Sequence, residues 1–230
     1  VDDAIATFVR AGGRQIVLLG AGFDCRAWRL DALAESTVFE VDHGPTQAEK
    51  RAVMAGEAPA ARSVLVPWDF ERRPLRELAP ELAARGHDRS APTMTILEGV
   101  CMFLSPDALD ATFEGMTRYS APGSPVAMTY MSPAIFADRS LGFVRRRAVV
   151  RLMGEPFRSC FEPRVLAPWL AARGFALESN ESAMQAGTRL LGADQALAIL
   201  GPQRSTSHVA LAHAAAHGVS HIVPVLIPDA

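Results

Sequence analysis

The chain has 230 residues, 49% hydrophobic and 21% charged, the composition of a folded domain rather than a disordered segment. A formal net charge of -2 and a pI near 6.3 leave no basic field for a phosphate backbone, which argues against nucleic-acid binding as a main role. No apolar run approaches the roughly 18 residues of a membrane helix, the start Val1-Asp2-Asp3 has no signal-peptide layout, and the scattered Cys25, Cys101 and Cys160 make no disulfide framework, so a reducing, cytoplasmic setting is expected.

Taken in order, a helix is expected from Asp3 to Arg10, then a strand at Gln15–Leu19, an apolar run ending at Gly20 that reads as buried on both faces. A helix over Asp24–Leu33 follows, then a strand at Val38–Val41 and a helix from Thr46 to Ala58. Ser63–Val66 is the third strand, and Pro74 opens a helix over Leu75–Arg85. Met94–Leu97 is the fourth. Ser105-Pro106-Asp107 has the cap, first-turn proline and dipole-favoured acid of a helix running to Tyr119. Val126–Tyr130 is the fifth strand. The stretch from about 131 to 160 is too long for an ordinary connection and reads as a substrate-facing insertion. A helix over Val165–Arg173 stopping at Gly174, and strands at Phe175–Glu178 and His208–Ala212, complete the chain. This alternation predicts one domain over 1–230, an α/β Rossmann-like fold with a mostly parallel sheet and helices on both faces.

Ligands in such sheets bind beyond the carboxyl ends of the strands. Strand one ends in Gly20-Ala21-Gly22, a turn that brings backbone close to a ligand, but Cys25 stands where a dinucleotide fingerprint places its third glycine. Strand two ends in Glu40-Val41-Asp42: an acid here suits ribose hydroxyls, Asp42 by its spacing from Gly20, and which of the two acids faces the ligand is left to the strand's alternation. Strand three ends in Trp68-Asp69-Phe70, with an acceptor for an exocyclic amine and aromatics that either wall an adenine or pack in the core. Strand four ends in Glu98, whose charge calls for a cationic ligand group or an arginine. No lysine or arginine stands at these ends for a phosphate. The set suits a nucleoside with a positively charged head, and S-adenosylmethionine has that form. A nicotinamide-dependent oxidoreductase and a non-catalytic S-adenosylmethionine-binding protein are the alternatives.

Gln15 to Leu30, containing Gly20-Ala21-Gly22-Phe23-Asp24-Cys25-Arg26, resembles the first motif of the leucine carboxyl methyltransferase family. Phe39 to Pro45 with Lys50 resembles the second motif, Val66 to Phe70 the third, Leu97 to Leu104 the fourth, and Phe161-Glu162-Pro163 to Phe175 a later segment. The resemblance implies a class I methyltransferase fold of seven strands, with an antiparallel final strand inserted in the sheet. It implies Gly20, Ala21 and Gly22 at the methionine portion, Asp42 on the ribose with His43 beside it, Asp69 and Phe70 at the adenine, and Glu98 near the amino group. It implies a small-molecule acceptor, with a carboxylate as the methylated group. The family often carries tyrosine where Phe103 stands on the acceptor side, and it has a helical region with basic residues ahead of the first motif.

A carboxylate acceptor needs no general base, whereas a phenol does, and His43 is the candidate base or a stabiliser of its loop. In the insertion, Arg145, Arg146, Arg147 and Arg151 are expected to face an acidic substrate or only solvent, with Arg147 and Arg151 on one helix face. His213, His217 and His221 would share a face if helical, but Gly218 and Pro224 argue for an exposed tail without a metal.

Overall fold

The computed structural model describes residues 1–70, 72–137, 156–200 and 207–215, together with positions 145, 148, 149 and 152. Seven strands form one sheet in the order β3-β2-β1-β4-β5-β7-β6. They are β1 (Gln15–Leu19), β2 (Thr37–Asp42), β3 (Arg62–Pro67), β4 (Thr93–Leu97), β5 (Pro125–Met131), β6 (Phe175–Ser182) and β7 (Ser207–Ala214). β1 is parallel to β2 and β4, and β7 runs antiparallel between β5 and β6, as the family resemblance implies. The chain order reverses across β1 and β4, which opens a crevice above their carboxyl ends.

All five β1 residues are buried because both faces are covered. Val17 and Leu19 pack with Phe39, Phe113 and Trp169 on one face, under α4 (Leu78–Ala84), α5 (Pro106–Tyr119) and α6 (Pro163–Ala171). Ile16 and Leu18 pack on the other with Ile5 and Phe8 of α1 (Asp2–Arg10) and Ala27 of α2 (Arg26–Arg29). The outer strands carry charge at the edges, Arg62 on β3 and Glu178 and Glu181 on β6, which discourages edge-to-edge pairing.

Four expected elements differ. The helix expected over Asp24–Leu33 is α2 followed by a separate 3-10 turn at Asp31–Leu33. The Ala27 carbonyl, which a continuing helix would use, accepts instead from the Ala61 amide at 2.9 Å, and Leu30 is extended. The helix expected over Thr46–Ala58 is α3 (Gly44–Val53), which starts earlier, with Pro45 in its first turn, and stops before Ala58. Pro80, lacking an N–H, splits the next into a 3-10 turn at Leu75–Glu77 and α4. β6 runs on to Ser182 because pairing with β7 carries its polar half past an irregularity between Leu177 and Ser179.

Two helices were not expected, α7 (Ala183–Leu191) and α8 (Ala193–Leu200). Their sequence signal is a capping box: the Ser182 hydroxyl accepts from the Gln185 amide at 3.2 Å, and the Gln185 side chain accepts from the Ser182 amide at 2.8 Å. Of the expected insertion at 131–160, a 3-10 turn at Pro133–Ala137 and the return from 156 are described. Arg146, Arg147 and Arg151, and His217 and His221, lie outside the described residues, while Arg145 is exposed. His213, expected in an exposed tail, instead lies in β7 and pairs with Glu178. Among the described residues no helix is long and apolar enough to cross a membrane.

Candidate functional site

β1 leaves the sheet through Gly20 at φ +68°, held by its amide to the Val41 carbonyl at 2.9 Å. A Cβ there would lie 2.5 Å from Val100 Cγ2, so glycine is what lets the turn approach the loop after β4. Gly22, at φ +46°, is different. A Cβ there would meet nothing nearer than the Gly20 carbonyl oxygen at 4.0 Å, so the position faces open space.

Glu40 and Asp42 are two apart on β2, hence on one face, yet their settings diverge. Glu40 is 1% exposed and ion-paired with Lys50, and its other oxygen accepts from the Ser63 hydroxyl at 2.7 Å. Lys50 is equally buried, donates also to the Asp24 carbonyl, and lies 5.0 Å from the centre of the Trp28 ring. This acid is structural. Asp42 sits at the strand end and accepts from the Gly22 amide at 2.5 Å and the His43 amide at 2.6 Å. An ionised carboxylate has about four acceptor sites, so Asp42 keeps capacity for hydroxyl donors.

Asp69 approaches the His43 ring, Oδ2 to Nε2 at 3.5 Å, and accepts from the Arg72 amide at 3.2 Å. His43 is half-exposed at the start of α3. Trp68 belongs to the core, 1% exposed, with its indole N–H donating to the Arg73 carbonyl at 3.0 Å. Phe70 is only partly buried and packs at the edge of the core just after β3. The loop after β4 is tied to β5 by the Gly99 amide, which donates to Thr129 Oγ1 at 2.8 Å.

At Glu98 the arginine alternative holds: Glu98 Oε2 accepts from Arg26 Nη2 at 2.5 Å. Arg26 is largely buried and also reaches Asp2 through Nε at 2.7 Å and Asp24 through Nη1. Burial by itself would lower the Arg26 pKa, but the hydrogen bond to Asp2 and the charges of Asp24 and Glu98 outweigh it and hold the guanidinium above its ordinary value. Asp2 is held below the usual carboxylate range: desolvation pushes it up, and the bonds to Arg26 and Arg29 push it further down. The sequence leaves open which of the many arginines meets Glu98. The available signal was the spacing Asp24-Cys25-Arg26 directly after the glycine turn.

Beyond β4 and β5 lies a small apolar cluster of Met102, Met131 and Ile135, with Phe103 and Phe157 against it. The Phe103 and Phe157 rings stack at 5.7 Å and 26°. The returning chain is pinned there by the Arg158 amide to the Met102 carbonyl at 2.7 Å and the Ser159 hydroxyl to the Cys101 carbonyl at 2.7 Å. Burial pushes the Cys101 thiol up to about 12 and, with the charge of Glu162, the Cys160 thiol up to about 11, which makes both unreactive. A groove of about 980 Å³ also crosses the sheet face between α1 and α7, and it meets the strand ends at Arg26 and Glu98.

The residues fit S-adenosylmethionine on what they offer: open space at Gly22, spare acceptor capacity at Asp42, and a carboxylate at Glu98 with one oxygen uncommitted among the described residues. Sheet order and site together define a class I methyltransferase fold. A putative methyltransferase from Thermobifida fusca shares it, with TM-score 0.66 at 20% identity over 93% of this chain and 78% of its own. An S-adenosylmethionine-dependent methyltransferase from Mesorhizobium loti does so with TM-score 0.59 at 17% identity, over 90% of this chain and 96% of its own.

The model of the family "Leucine carboxyl methyltransferase" matches residues 1–117, and the chain belongs to that family. A relative from Mycolicibacterium smegmatis, named "Putative S-adenosyl-L-methionine-dependent methyltransferase", is 32% identical over 79% of this chain and 60% of its own length. One of the same description from Streptomyces coelicolor is 39% identical over 55% of this chain and 42% of its own. The chain spans about half the length of the curated relatives it matches.

Proposed function

We propose that the chain forms the S-adenosylmethionine site of an O-methyltransferase that methylates a carboxylate of a small or medium organic acid, giving a methyl ester. The observation that carries the reading is the ordered set on four adjacent strand ends, Gly20/Gly22, Asp42, Asp69 and Glu98, in a chain of this family. Asp42 accepts from the ribose hydroxyls, Asp69 and Phe70 take the adenine, and Glu98 takes the ammonium, with His43 bracing Asp69. Bound there, the cofactor supplies a methyl group activated by its sulfonium. The protein's remaining tasks are to align the acceptor and exclude water.

A carboxylate acceptor is supported by the family's name and by its being ionised at neutral pH without a base. Phe103, stacked on Phe157 over Met102 and Met131, offers an apolar wall for the body of such an acid. Arg147 and Arg151 are proposed to attract its charge. Titration calorimetry with S-adenosylmethionine, its demethylated product and NAD tests the cofactor: binding of NAD alone would overturn the reading. With a labelled methyl donor, label in base-labile esters is expected, and label confined to base-stable ethers would remove the carboxylate assignment.

A further inference from the structure

We propose that Arg26 is a positioning residue for the head of the cofactor, fixing Glu98 so that its free oxygen meets the ammonium; this rests on the reading above. Arg26 bonds three carboxylates from three separate elements: Asp2 at the start of α1, Asp24 after the glycine turn, and Glu98 at the end of β4. Its side chain is 11% exposed, so the arrangement is built into the fold and is not a surface pairing.

The fork is used one nitrogen per acid, each N–H fixing one carboxylate in direction. The backbone after β4 is held by the Gly99–Thr129 bond, but the Glu98 side chain has several free torsions, and the Arg26 bond restrains them. Only Oε2 is taken, leaving Oε1 without a partner among the described residues. The charge count agrees. Asp2, Asp24 and Glu98 face Arg26, with Arg29 on Asp2 at 2.6 Å, leaving one negative charge in excess. Glu98 is the most exposed of the three acids, so that excess is offered to a cation at the strand ends.

The test compares two ligands that share the nucleoside and differ in the head. S-adenosylhomocysteine carries the ammonium and carboxylate, and methylthioadenosine carries neither. Arg26→Lys keeps the charge and loses the fork, and is expected to weaken S-adenosylhomocysteine about 5- to 20-fold, as for a bond to a charged group, while methylthioadenosine changes less than about twofold. Glu98→Gln should do the same, and the Arg26→Lys/Glu98→Gln pair should lose little more than either alone. Equal weakening of both ligands, no weakening of either, or additive losses in the pair would overturn the positioning role. Wild-type protein that binds neither ligand would instead overturn the cofactor reading beneath it. Thermal unfolding of each variant, and Arg26→Gln as a second replacement, separate loss of fold from loss of the head contact.

Discussion

Lys50 and Arg26 are both buried cations set among acids, and both are tied to Asp24, Lys50 through its backbone carbonyl and Arg26 through its carboxylate. Around Lys50 the carboxylate is satisfied: Glu40 is paired on one oxygen and hydrogen-bonded to Ser63 on the other, and the Glu40 carbonyl accepts from Gln47 at 2.8 Å. Around Arg26 the acids are one in excess and one Glu98 oxygen is uncommitted among the described residues, beside a groove that Arg26 and Glu98 line. A carboxylate satisfied on both oxygens holds architecture, since neither oxygen is left for a ligand to engage. An unsatisfied, partly exposed one retains an interaction that binding can complete.

The sharpest way to break this contrast is Lys50→Met. It leaves Glu40 as an unpaired buried charge and should cost about 3–5 kcal/mol of stability in denaturant unfolding. Replacing Glu40 and Lys50 together with apolar residues should recover most of that loss. If Lys50→Met instead left stability intact and abolished cofactor binding, the division between the two clusters would be wrong.

Next come the glycines. Gly20→Ala must push aside Val100 and hold a side chain at positive φ, and should destabilise the fold by about 1–3 kcal/mol. Gly22→Ala meets open space and should cost only the backbone term, about 1 kcal/mol, with the larger effect on cofactor affinity. Equal stability losses in the two variants would remove the distinction. Asp42→Ala in a folded protein should weaken cofactor binding by about 1–3 kcal/mol by calorimetry, and unchanged affinity would remove Asp42 from the ribose.

The smallest effect lies at the other end of the sheet. His87 is buried between Phe39 and Tyr119, with Nε2 2.9 Å from Thr93 Oγ1. Burial lowers its pKa, and Asp88 raises it less. The unfolded chain therefore takes up a proton that the folded one resists. The neutral imidazole's contribution is present above the unfolded value near 6.5 and is lost as pH falls through the folded one. His87→Asn should flatten the stability profile below about pH 6.5 without touching cofactor affinity. A profile unchanged in slope would contradict it.

Much of the fold was legible because its signals are local. The apolar run Gln15–Leu19 had to be a strand covered on both faces, and Ser105-Pro106-Asp107 had to open a helix. The four strand ends then named Gly20, Asp42, Asp69 and Glu98 from residue type and position alone, and the family motifs added the placement of the antiparallel β7. What the sequence left open depended on partners distant in the chain. Glu40 and Asp42 share a face, and only the packing of α3 over β2 brings Lys50 to one and leaves the other at the crevice. Trp68 and Phe70 flank the same acid, and only the layer above β3 decides that the first is core and the second is rim. Arg26 is one of many arginines until the end of β4 and the start of α1 are folded against it. Hydrophobic period and turn chemistry are set by neighbours in sequence, so they can be read there. Which charge meets which is set by three-dimensional closure and is decided only in the folded molecule.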